Sequence, residues 1–210
     1  IKAGDNLKFK MRLIDCVGYI VDGAEGTLED DEPRMVSTPW SSEPMPLAAA
    51  ALTGTNKVIN DHSTVAIAMT TDGSITDIPR ENYVEAEEDI VETLKKSGKP
   101  FVMVLNSANP YSPETDSLRT ELEEKYGVPV KTADCSRLKD EDINELMESL
   151  LYEFPVNEIN INIPRWLEGL ENGHWLKSSV ISTLLSLTEK ASKLREINGC
   201  VSDLEDNEYI

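Results

Sequence analysis

Lys10-Met11-Arg12-Leu13-Ile14-Asp15-Cys16-Val17-Gly18-Tyr19 is the stretch on which the reading of the whole chain turns. An apolar run leads into an acid, and a glycine stands three residues further on. Such a run suits a strand covered on both faces of a sheet, so 7–15 is expected to be one. Its carboxyl end would present Asp15. Gly18 would let the backbone approach a ligand more closely than a residue with a Cβ allows. A simple turn after a strand carries the same pattern, so the segments downstream have to decide.

Those segments alternate. The continuous apolar runs 64–70 and 100–105 and the shorter 128–133 are expected strands. Helices are expected at 46–61, 82–97, 113–126 and 140–154. Gly98 and Gly127 are the natural stops of the second and third, and Leu118, Leu122 and Tyr126 lie at four-residue spacing on one face. Four strands separated by helices predict an α/β fold with a parallel sheet. The pattern changes at Pro155. Residues 156–163 alternate with period two, as in a strand with one wet face, and a long helix is expected over 175–198. The acidic end, 201–208, reads as a solvated tail or as a strand lacking its partner. The predicted organisation is one domain over 1–154 and the start of another over 155–210.

The chain has 210 residues and a formal net charge of −19, with 40% hydrophobic residues. A real core is affordable, whereas the summed negative field disfavours nucleic acid and anionic membranes. No apolar run approaches the roughly 20 residues of a membrane span. Three scattered cysteines, Cys16, Cys135 and Cys200, argue against a disulfide framework or a zinc site; Cys16 and Cys135 read as buried fillers. His62 and His174 have no partner at metal-ligand spacing. The Pro/Gly/Glu-rich 19–46 is too long for a passive structureless connection and is read as a switch-like insert.

Ligands of parallel sheets sit outside the carboxyl ends of the strands. The four expected ends are all polar: Asp15-Cys16-Val17-Gly18, Thr70-Thr71-Asp72-Gly73, Asn106-Ser107-Ala108-Asn109 and Asp134-Cys135-Ser136. In nucleotide hydrolases of the GTPase-like class an Asp at the first place serves Mg²⁺ and the following glycine meets the terminal phosphate. A Gly-x-x-x-x-Gly-Lys-[Ser/Thr] phosphate cradle is expected upstream of Ile1. The third end in GTPases is Asn-Lys-x-Asp. Here Ser107 and Asn109 replace Lys and Asp, and a neutral amide lacks the charge-assisted fork to guanine. Adenine is the better fit. Lys57, Arg34 and Arg80 are candidate cations for a phosphate or for subunit contacts.

Long blocks also carry a resemblance. Arg12 to Tyr19, Pro33-Arg34-Met35-Val36-Ser37-Thr38-Pro39-Trp40, Lys57 to Thr64, Thr70-Thr71-Asp72-Gly73-Ser74 through Arg80, Tyr152-Glu153-Phe154-Pro155-Val156 and Asn172-Gly173-His174-Trp175 resemble the stage IV sporulation protein A family of endospore-forming bacteria. The resemblance implies a partial phosphate-loop NTPase fold followed by part of an α+β middle domain. It implies an ATP-hydrolysing cytoskeletal protein of the mother-cell cytoplasm that polymerises on the outer forespore surface as the basement layer of the spore coat. A small amphipathic membrane peptide and other coat proteins would be its partners. Asp15 would be the acidic residue for Mg²⁺, both catalytic and metal-associated, with Gly18, Asn106, Ser107 and Ser136 lining the ATP site. An inactive interaction module, for this segment without a phosphate loop, and a guanine-nucleotide switch protein are the alternatives.

Overall fold

The computed structural model describes residues 2–3, 7–8 and 10–205. By compactness the chain divides into one unit ending at Leu150 and a second beginning at Leu151.

The centre of the first unit is a three-stranded parallel sheet whose strands lie side by side in chain order, so this part of the chain is mixed α/β. Strand β7 is Ala66–Thr71, β8 is Phe101–Asn106 and β9 is Val130–Ala133. Ala66 pairs with Phe101 and Thr71 with Asn106, while Met103 faces Val130. Strand β8 is buried on both faces, which is why its sequence reads as an unbroken apolar run. Phe101, Met103 and Leu105 join Ala68 and Val130 in a core closed by Val91 and Leu94 of α2 (Val84–Ser97) and by Leu122 and Tyr126 of α3 (Pro113–Tyr126).

Local chemistry sets the helix ends. Ser112 caps α3 by accepting the Thr115 N–H, Pro113 fills the first turn, and Gly127 ends the helix at φ 65°. Gly98 ends α2 in the same left-handed way, at φ 67°. Helix α1 (Leu47–Lys57) passes into a π-helical turn over Val58–His62. The Lys99 ammonium closes that turn by donating to the carbonyls of Ile59, Asn60 and Ser63. Helix α4 spans Asp140–Tyr152.

Several expectations are corrected. Residues 10–15 form no strand. Among the described residues only β2 (Leu7–Lys8) is extended there, paired with β1 (Lys2–Ala3). The run from Lys10 to Ile20 has no regular structure, and Leu13 is 78% exposed. An apolar run becomes a strand only where a neighbour accepts its backbone hydrogen bonds, and none of the described strands does. Cys16 is accordingly exposed rather than a core filler. The insert is not structureless either. It holds two short antiparallel hairpins, β3 (Leu28–Glu29) with β4 (Glu32–Pro33) and β5 (Met35–Val36) with β6 (Met45–Pro46). The Trp40 ring lies against the helix at Gly54, where an added Cβ would come within 3.4 Å of it.

In the second unit the alternating 156–163 has no regular structure; beside it lies an isolated bridge, Pro155 with Lys193. Helix α5 is the single turn Arg165–Glu168. The expected long helix is two, α6 (Trp175–Lys190) and α7 (Leu194–Glu205). The break has a local cause. Glu196 reaches back to accept the Ser192 and Lys193 N–H groups and the Ser192 hydroxyl, a capping box that starts a new helix. At the other end of α6, His174 Nδ1 accepts the Leu176 N–H, a structural role. Residues 201–205 of the expected tail lie in α7, and 206–210 fall outside the described residues. Described elements of this unit are helical, with no strand among them.

Candidate functional site

Parallel strands bring three polar ends to one edge, and their side chains are cross-linked there. The Asn106 Oδ1 accepts the Cys135 N–H at 3.0 Å, joining the ends of β8 and β9. The Ser107 N–H donates to the Ala133 carbonyl at 3.0 Å. Ser74 Oγ accepts the Ala108 N–H at 2.9 Å and donates to Asp72 Oδ1, so the loop after β7 holds the loop after β8. Thr115, at the start of α3, stands behind both: its hydroxyl reaches the Asn109 carbonyl at 3.1 Å and Asp72 Oδ2 at 3.4 Å. Asp134 Oδ1 accepts both the N–H and the hydroxyl of Ser136.

Electrostatics follow this wiring. Burial alone would raise the Asp72 carboxyl, but hydrogen bonds from the Ser107, Ser74 and Thr115 hydroxyls and from the Ser74 backbone outweigh it, and the group sits below its ordinary value. The Ser136 hydroxyl, helped by its backbone N–H and by Arg137, holds Asp134 low as well. Burial and the neighbouring Asp134 push the Cys135 thiol up, so it is no ready nucleophile.

Among the expected site residues, Asn106, Ser107 and Ser136 come together on this edge. Ser107 is 0% exposed, with its hydroxyl engaged by Thr115, the Asn109 N–H and the Asp72 carboxylate. It supports the loop from behind rather than facing a ligand. Ser136 is exposed. Asp15 and Gly18 lie outside this web. Asp15 is exposed, and its carboxylate has no partner among the described residues. Gly18 has φ +80° with nothing within 4 Å of an added Cβ, and its N–H donates at 3.1 Å to Thr55 Oγ1 in α1. Of the candidate cations, Arg80 is committed to Glu87 at 2.8 Å. Among the described residues no group of three or more His, Cys, Asp or Glu is placed to hold a metal by itself.

Sequence reasoning did not single out Thr55, Ser74, Glu87 or Thr115. Ser74 and Thr115 follow a turn and a helix cap and carry a faint signal; Glu87 sits in a run of acids and carries none.

A three-stranded parallel sheet packed with helices, with its polar loops cross-linked at the carboxyl edge, defines a mixed α/β domain. Residues 1–155 match a family model described as stage IV sporulation protein A, ATPase domain, and 156–210 match the middle domain of the same family. The chain belongs to the stage IV sporulation protein A family. It is 50% identical over all 210 residues to stage IV sporulation protein A of Clostridioides difficile (strain 630) and 43% identical to that of Bacillus subtilis (strain 168). In each case it spans 43% of the relative's length. No described helix is long and apolar enough to cross a membrane.

Proposed function

We propose that this chain carries much of the nucleotide-hydrolysing domain, with the start of the middle domain, of an ATP-hydrolysing protein of sporulation. The carrying observation is the cross-linked carboxyl edge of β7, β8 and β9, in a chain whose family is described by an ATPase domain. That edge supplies the rigid side of a base pocket. Asn106 fixes the Cys135 turn, and Asn109 stands where a guanine site needs a carboxylate, so ATP is the substrate.

Asp15 and Gly18 supply the phosphate side. An exposed carboxylate without a protein partner suits a water-bridged divalent cation, and an open left-handed glycine leaves room for a phosphate oxygen. Magnesium held through Asp15 would neutralise charge on the transferring phosphoryl group. In the intact protein, Asp15→Ala removes ATP turnover while the far-ultraviolet spectrum and melting temperature stay those of the parent. Unchanged turnover sinks the assignment.

At the level of the whole protein, polymerisation on the outer forespore surface into the basement layer of the spore coat fits this reading. Nucleotide-driven rearrangement of the insert 19–46 would expose the assembly surfaces. An amphipathic membrane peptide and other coat proteins would be the partners there.

A second reading applies to the 210 residues alone. Their sequence contains no Gly-x-x-x-x-Gly-Lys-[Ser/Thr], so the backbone cradle and the lysine for the β- and γ-phosphates are not supplied. By itself the chain is a folded interaction module with weak nucleotide affinity. Titration calorimetry with Mg-ATP checks this, and a micromolar Kd contradicts it. A guanine-specific switch is excluded if GTP fails to compete with ATP on the intact protein.

A further inference from the structure

Glu87 is an acid inside a core. It lies in the first turns of α2, is 3% exposed, and is ringed by donors from three separate segments. Thr70 Oγ1, at the end of β7, donates to Oε2 at 2.5 Å. The Tyr126 hydroxyl, at the end of α3, donates to Oε1 at 2.9 Å. Arg80 Nη2 reaches Oε1 at 3.0 Å and Oε2 at 2.8 Å. Both carboxylate oxygens are therefore satisfied twice. Burial, with the Glu87 carboxylate against it, raises the Tyr126 phenol to about 12, so that proton stays as the donor.

The location of these donors is informative. Thr70 and Arg80 are the two stems of the loop that leaves β7, the loop containing Asp72 and Ser74. Glu87 holds both stems at once. The neck between them is tight: an added Cβ at Gly73, φ +85°, would lie 2.9 Å from the Arg80 backbone nitrogen. Beyond the neck, Ser74 Oγ takes the Ala108 N–H. A continuous set of contacts thus runs from the buried acid to the loop after β8. Stability alone gives no reason for a buried ion pair, because an apolar replacement of similar volume is often as stable. An apolar replacement would fill the space but leave both stems unheld.

We propose that Glu87 is a positioning residue of the nucleotide site, setting the Asp72–Ser74 turn and through it the Asn106–Asn109 loop. The proposal rests on the nucleotide reading of that edge. The test uses the intact protein with Glu87→Gln, which keeps the shape and removes the charge holding Arg80. Two readouts are taken: site-resolved amide exchange, and ATP turnover as separate KM and kcat. Expected is a loss of protection of about tenfold at Ser74 and Ala108 with about twofold or less at Met103, whose N–H lies in the sheet. KM for ATP rises about tenfold while kcat changes less than about threefold.

Equal loss of protection across the sheet, or no change at Ser74 and Ala108, overturns the proposal. So does an unchanged KM. Tyr126→Phe removes one donor and keeps the ion pair, so it should give the same pattern in smaller measure; if Glu87→Gln does not fold, this variant decides by the same criteria. Should the parent protein turn over no ATP, the nucleotide reading fails, and the exchange pattern still decides whether Glu87 sets the two loops.

Discussion

Glu153→Gln tests the other buried acid among the described residues and can be worked through from the geometry. The Glu153 side chain is 1% exposed, with Lys193 Nζ 2.7 Å from Oε2 and Arg195 Nη1 3.1 Å from Oε1. At an effective dielectric constant of about 20, each contact carries roughly 5–6 kcal/mol of Coulomb attraction, set against several kcal/mol for desolvating each ion. Removing one member of a fully buried pair costs about 3–5 kcal/mol. Here the two cations are 34% and 36% exposed, so water relieves part of the loss, and glutamine keeps one acceptor. The expected cost is about 2 kcal/mol. The assay is urea unfolding followed by tryptophan fluorescence in a Trp40→Phe background, where Trp166 and Trp175 report on the second unit. The penalty should persist in 0.5 M salt, because the carboxylate is shielded from the ions. Glu92→Gln, in the exposed pair with Lys96 of the first unit, is the control and should cost under about 0.5 kcal/mol when unfolding is followed by the far-ultraviolet spectrum, to which both units contribute. A Glu153→Gln penalty below about 0.5 kcal/mol, or one that vanishes with salt, refutes the reasoning.

Gly73→Ala forces a side chain onto a positive φ and against the Arg80 backbone; about 2 kcal/mol of stability should be lost in chemical denaturation, and a neutral result would refute the closed neck. The Asp72 pKa is lowered in the fold, so its carboxylate stabilises the fold above the ordinary carboxylate range and that contribution is lost as pH falls below about 4. Asp72→Asn should therefore flatten the acid limb of stability against pH, read as urea midpoints at neutral pH and at pH about 3.

Legibility in the sequence followed locality. Helix α3 was readable to the residue because Ser112, Pro113 and Gly127 mark its ends within its own stretch. Strand β8 was readable because burial on both faces leaves an unbroken apolar run. Residues 10–15 and 156–163 carry strand-like patterns, yet a pattern cannot supply the neighbour whose backbone a strand needs. The hairpins of the insert are two-residue ladders, too short to leave a period. At the site, polar residues following apolar runs pointed to Asn106 and Ser136. The web that holds them was out of reach: Glu87 meets Thr70 and Tyr126 across 17 and 39 residues. In sequence it stands beside Glu85, Glu88 and Asp89, where any acid reads as part of a wet face.

Lys99 carries a consequence for chemical labelling. Its ammonium donates to three main-chain carbonyls, at 2.5, 2.8 and 2.7 Å. With its donors aimed at those carbonyls, the amine reaches an acylating reagent only by breaking these contacts. Against exposed lysines such as Lys96, the Lys99 amine should react slowly with acylating reagents, and faster reaction would report the opening of the turn at the end of α1.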